Sequence, residues 1–106
     1  MIDKRVVITG IGIYSCIGTT IKEVTNSLKE GKSGIGIDSA RIDMGYRSAL
    51  TGVLDLPIVK KSLSRRQRVS MAEETLFAYV STLEALANAK IDDDFLDNNI
   101  IGMIFG

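Results

Sequence analysis

Across its 106 residues the chain carries thirteen Lys and Arg against thirteen Asp and Glu, so a general attraction to nucleic acid or to a membrane has no electrostatic basis. The length allows one domain at most, small for a sheet covered by helices on both faces. With no His and a single Cys, Cys16, the chain excludes a Ser-His-Asp or Cys-His nucleophile, a His-containing or multi-Cys metal site and an internal disulfide framework; no cofactor or metal is expected, and a reducing cytoplasm is the fitting compartment.

The first element is Lys4-Arg5-Val6-Val7-Ile8-Thr9-Gly10-Ile11-Gly12-Ile13. Its apolar residues do not alternate with polar ones and are mostly β-branched, which predicts a strand over 6–11 covered on both faces, at the centre of a parallel sheet. Gly10 and Gly12 then let the backbone turn where a side chain would block it. Three look-alikes fail on detail. Lys4-Arg5 before an apolar run ending at Cys16 imitates a lipoprotein signal, but glycines and Thr9 interrupt the run and Tyr14 stands where a small residue is needed. Gly10-Ile11-Gly12 opens like a dinucleotide fingerprint, yet Ser15 occupies the third glycine's place. Gly31-Lys32-Ser33 resembles the end of a phosphate-binding loop, yet Asn26 replaces its first glycine and the preceding segment is helical. Both glycine motifs are read as backbone turns. No stretch approaches the roughly 20 apolar residues of a membrane helix.

Thr19-Thr20 supplies an N-cap, and Glu23 three residues after Thr20 completes a capping box for a helix over 20–30. Ile21, Val24 and Leu28 share a face, and Gly31 is the stop. Gly34-Ile35-Gly36-Ile37 is too short for more than a connector or an edge piece. A strand is predicted over 46–54, ended by Pro57, with Arg47 solvated at its start. The spacing of Val69, Ala72, Leu76, Val80, Leu83 and Ala87 predicts one long helix over 64–89, capped by Ser62 or Ser64. An acidic loop over 91–99 leads into Ile100-Ile101-Gly102-Met103-Ile104-Phe105, a second strand apolar on both faces. No crossover helix follows it, so the sequence reads as a piece of a larger α/β domain. The two apolar strands are expected to be parallel members of one sheet with both long helices against it, burying Val7, Ile8, Ile11, Leu76, Val80, Leu83, Ile101 and Ile104.

Arg5-Val6-Val7-Ile8-Thr9-Gly10-Ile11-Gly12, Ile17-Gly18, Leu28-Lys29-Glu30-Gly31-Lys32-Ser33-Gly34-Ile35, Gly45-Tyr46-Arg47-Ser48 and Asn99-Ile100-Ile101-Gly102-Met103-Ile104-Phe105-Gly106 are in order and in register with one family. The chain resembles the opening of the β-ketoacyl-acyl carrier protein synthases, the condensing enzymes of fatty acid synthesis, and most their type I branch. The resemblance implies α/β architecture: a thiolase-like, layered fold with a mixed, largely parallel sheet, of which residues 1–106 form a partial N-terminal domain, in an enzyme that works as a homodimer. It also implies a Cys nucleophile and two His, all lying beyond these residues. The chain itself is therefore expected to hold no catalytic residue and to be inactive alone. Cys16 does not match the family's nucleophile, and a small buried thiol packed under the first helix is its expected role.

Lys60, Lys61, Arg65, Arg66 and Arg68 are clustered with no acid among them. Cations at a helix N-terminus oppose the helix dipole, so the cluster calls for a reason other than helix stability. The resemblance supplies one: members of the family dock an acidic acyl carrier protein through basic residues, and Arg47, Arg65 and Arg66 fall on matching positions. Arg68 stands beside Val69, where a further basic residue is expected. A solvated charged face is the plain alternative. The function implied is the N-terminal part of a 3-oxoacyl-acyl carrier protein synthase. A non-catalytic synthase-like partner of polyketide type, or a free-standing binding module for an acidic protein, stays open.

Overall fold

The computed structural model describes residues 3–106. In chain order the elements are α1 (Ile21–Glu30), β1 (Ile35–Ile37), α2 (Ser39–Asp43), β2 (Leu50–Gly52), α3 (Arg65–Val69), α4 (Glu73–Ala89) and α5 (Asp93–Asn98).

Helix α1 forms where its signals place it. The Thr20 hydroxyl accepts the N–H of Glu23 at 3.3 Å. Gly31 ends the helix in the left-handed region at φ 64°, and Lys32 N–H reaches back to Ser27 O at 2.8 Å, satisfying carbonyls that the helix leaves open. The Glu23 carboxylate does not close back on Thr20; it accepts the N–H of Thr19 at 2.7 Å and its hydroxyl at 2.9 Å, one residue further out than a capping box requires. Val24 is buried on this helix, as is Ser27, whose hydroxyl donates to Ile17 O at 2.6 Å. Leu28, expected on the same packed face, is exposed.

The sheet among the described residues is β1 paired antiparallel with β2, Ile35 opposite Gly52 and Ile37 opposite Leu50. The short piece at 35–37 is thus a strand, and the one expected over 46–54 shrinks to Leu50–Gly52. Its missing first half is a loop tied to α2: Tyr46 N–H donates to Arg41 O at 3.0 Å, and the Arg41 guanidinium lies 5.1 Å from the Tyr46 ring centre.

The helix expected over 64–89 is two helices. Ser64 and Gln67 make a full capping box for α3, and Ser70 then turns its hydroxyl onto Gln67 O at 2.8 Å, competing with the backbone pattern that would continue the helix. Glu73 and Glu74 start α4 at the positive end of its dipole. The apolar period runs across the break, which is why it concealed two caps. The acidic stretch expected as a loop contains α5, because Asp92 caps it by accepting Phe95 N–H at 2.9 Å.

The two strands expected at 6–11 and 100–105 join no sheet, and the layered, parallel arrangement is not formed among the described residues. Val7, Ile8, Ile11, Leu83, Ile101 and Ile104, expected to be buried, are exposed; Leu76 and Val80 are half-buried. A strand apolar on both faces needs a neighbour on its edge and a layer on each side. The described residues offer the first segment one partner, α4. Gly10 and Gly12 lie directly on that helix, where a Cβ at Gly12 would overlap the Ser81 carbonyl and one at Gly10 would sit 2.7 Å from the Ala89 Cβ. Ile11 N–H donates to the Asn88 side chain at 3.1 Å. Ile13 N–H and Ile21 N–H both donate to the Glu84 carboxylate at 2.8 Å, so one side chain joins the turn to the first residue of α1. The glycine motif is therefore a close-packing surface on α4 and not the backbone turn expected of it; the turn comes later, between Ser15 and Gly18.

Candidate functional site

The basic cluster is built on a turn with a buried base. Val59 and Leu63 are among the few buried apolar residues, and Leu63 N–H donates to Val59 O at 2.9 Å, closing a turn that leaves Lys60 and Lys61 exposed. Ser64 follows at once, and its capping box, 2.9 Å from Ser64 N–H to Gln67 and 3.2 Å in return, fixes where α3 begins.

Arg65, Arg66 and Arg68 are brought together on that one short helix. Arg65 and Arg66 are exposed; Arg68 is half-buried and its Nε is buried without a hydrogen-bond partner. Arg66 and Arg68 also belong to the last turn of so short a helix, where cations are favoured. The expected dipole penalty on the cluster is thus largely removed by the break at Ser70. Arg47 is exposed in the loop before β2, and no described hydrogen bond or stacking contact joins it to α3. The four candidate arginines are therefore three on one helix and one in a separate loop.

Cys16 is exposed rather than buried under α1. It occupies the tight turn closed by Ser15 N–H to Gly18 O at 2.8 Å, with its sulfur against the backbones of Gly34 and Gly52: a Cβ at those glycines would lie 2.6 and 3.0 Å from Sγ. A cleft of about 620 Å³ runs past it, lined in part by Tyr14, Cys16, Glu23, Lys32 and Asp55. Several of its polar groups are already used in holding the turn and helix. The Ser15 hydroxyl donates to Gly18 O at 3.1 Å, the Ser27 hydroxyl is spent on Ile17 O, and the Tyr14 hydroxyl donates to Asp55 O at 3.0 Å. The Thr19 N–H, and then its hydroxyl, hold the exposed Glu23 carboxyl below the ordinary carboxylate range. The cleft thus has a thiol with no imidazole to serve it, since the chain contains none. Glu84 and Asn88, which sequence reasoning passed over as ordinary polar positions of a long helix, prove to be the acceptors that anchor the N-terminal segment. Their four-residue spacing on one helix face, opposite a segment of glycines, was the available signal.

Residues 3–106 match the family description "Beta-ketoacyl synthase, N-terminal domain". The chain is similar to 3-oxoacyl-(acyl-carrier-protein) synthase 1 of Haemophilus influenzae, 36% identical over 103 residues, with 97% of this chain and 25% of that protein covered. It is 40% identical over 107 residues to the synthase of the same name from Buchnera aphidicola subsp. Acyrthosiphon pisum, again covering 97% and 25%. Against the granaticin polyketide putative beta-ketoacyl synthase 1 of Streptomyces violaceoruber the identity is 33% over 103 residues, covering 97% and 24%. The chain spans about a quarter of the length of these relatives. No helix among the described residues is long and apolar enough to cross a membrane. With the family description matched from residue 3 to residue 106, the chain belongs to the β-ketoacyl synthases, as N-terminal domain sequence with a thiolase-like α/β fold.

Proposed function

We propose that this chain is a partial N-terminal domain of a 3-oxoacyl-acyl carrier protein synthase of fatty acid synthesis, and that its part is to build scaffold and receive the carrier. The reaction of the whole enzyme is a decarboxylative Claisen condensation. An acyl group passes from its thioester to a cysteine thiolate, malonyl-carrier protein loses carbon dioxide, and the resulting carbanion attacks the acyl carbonyl and expels the thiolate. The product is a 3-oxoacyl thioester on the carrier. The thiolate and the imidazoles come from outside residues 1–106. The whole is a cytoplasmic homodimer in which the segments at 6–11 and 100–105 are parallel strands of a layered, largely parallel sheet.

The observation that carries the carrier reading is the exposure of Arg65 and Arg66 on a helix whose start is fixed by its own capping box. Arg47 and Arg68 complete the patch, Arg68 from a half-buried position that restricts how far its guanidinium can reach. An acidic carrier approaching this face is steered by charge over about 8–10 Å at ordinary ionic strength, which raises its association rate and weakens with salt. The granaticin relative gives a second reading, a polyketide synthase or its non-catalytic partner, the support of a 33% match.

The test separates carrier binding from chemistry. In the full-length synthase, Arg65→Glu with Arg66→Glu should raise KM for carrier-linked substrate at least several-fold and leave turnover of a small carrier-free thioester unchanged. Each exposed contact alone is worth under about 1 kcal/mol, so the double reversal is the decisive variant. Equal loss with both substrates assigns the arginines to structure.

A further inference from the structure

Helix α3 turns one face outward, and that face is not uniformly basic. Successive residues of an α-helix are rotated by about 100°, which places Val69, one turn past Arg65, between the directions of Arg65 and Arg66. Exposure follows that geometry. Arg65 and Arg66 are exposed and Val69 is 80% exposed, whereas Arg68, on the far side of Arg65, is half-buried. The Gln67 side chain is occupied by the N–H of Ser64 at 2.9 Å. The outward face of α3 is therefore an isopropyl group flanked by two guanidiniums.

Both ends of the helix hold Val69 in that place. The capping box of Ser64 and Gln67 fixes the first turn. The N–H and the hydroxyl of Ser70 both go to Gln67 O, at 3.3 and 2.8 Å, so the helix stops directly after Val69. A single apolar residue on a surface needs no explanation, but a cover over this one is constrained by its flanks. Anything that buries Val69 comes down between Arg65 and Arg66, and desolvating guanidiniums without acceptors is costly. No acid lies in residues 56–72 to supply those acceptors locally. The cover must bring carboxylates on either side of an apolar group; a purely apolar element, or a purely acidic one, meets only part of the face.

We propose that Val69 is a specificity-determining residue of the docking face, selecting among acidic carrier proteins those that present an apolar side chain between their carboxylates. The inference rests on the carrier reading of Arg65 and Arg66 and adds the chemistry of the contact. It also changes the balance of forces. The family resemblance leads one to expect a basic residue at this position; valine replaces an ion pair, screened over about 8–10 Å at ordinary ionic strength, by apolar burial, which sodium chloride does not screen. This face thus keeps part of its affinity at a salt concentration where an all-basic face loses it.

The experiment uses the full-length synthase with unacylated acyl carrier protein as the probe, and reads the dissociation constant by fluorescence anisotropy at low and at high sodium chloride. Val69→Ser should weaken binding about fivefold at both salts. Val69→Lys should bind well at low salt and fall off more steeply than the unaltered protein as salt rises. Arg65→Glu with Arg66→Glu should show its largest loss at low salt. A Val69→Ser loss that disappears at high salt, or no loss while the double reversal still weakens binding, overturns the inference and leaves the carrier reading standing. If neither variant weakens binding, the carrier reading fails and this inference with it. A matching drop in turnover of a small carrier-free thioester by Val69→Ser places Val69 against the rest of the synthase instead of the carrier, and overturns the inference as well.

Discussion

Gly12 is the residue at which the local architecture is most sharply determined. Its missing side chain is what allows the N-terminal segment to lie against the Ser81 carbonyl of α4, and a methyl group there has nowhere to go because both neighbours are backbone. Gly102 has no heavy atom within 4 Å of the equivalent position. Gly12→Ala should therefore destabilise the 106-residue chain by about 3 kcal/mol or more, at the upper end of overpacking, while Gly102→Ala should stay within about 0.5 kcal/mol. Urea denaturation followed by circular dichroism measures both. Similar effects at the two sites contradict the packing of the glycine motif on α4.

Helix α1 shows what an element draws from its first turn. The Thr19 N–H bond, then the Thr19 hydroxyl, favour the ionised form of Glu23 and lower its pKa. A carboxyl lowered in the folded state contributes stability above its unfolded value of about 4.3, and the contribution is lost as pH falls through the lower folded value. Carbon-13 NMR of the Glu23 carboxyl should show titration below that value, and Glu23→Gln should flatten the acid loss of α1 helicity. Titration at the ordinary value would mean the Thr19 bonds are absent in solution. Thr20, Glu23 and Gly31 made this helix legible, since caps are local. The break between α3 and α4 was not, because Ser70 is decided by a hydroxyl choosing Gln67 O, while the apolar spacing on either side stays in phase. Asp92 was read as one acid among several, yet it is the cap that makes α5. In the candidate site, the arginines of α3 were legible as a cluster, and their cap as either Ser62 or Ser64, of which the structure uses Ser64. That Arg68 is half-buried while its neighbours are open depends on tertiary packing, which no local pattern carries.

For the molecule as a whole, the segments 6–11 and 100–105 were legible as apolar on both faces, but their pairing depends on neighbours that the described residues do not provide. What those residues do provide is a glycine-on-helix junction locked by Glu84, a small hairpin, and an arginine-bearing turn with a buried base. None of these is a device for carbon–carbon bond formation, which needs an activated nucleophile and a stabilised oxyanion. The proposal is thus a division of labour in which this chain would scaffold and receive the carrier while the chemistry comes from elsewhere in the synthase. The most direct test incubates the purified 106-residue chain with acyl- and malonyl-carrier protein and follows 3-oxoacyl product by mass spectrometry. The account predicts no product above the protein-free rate, with Cys16→Ala making no difference; turnover that disappears with Cys16→Ala would contradict it.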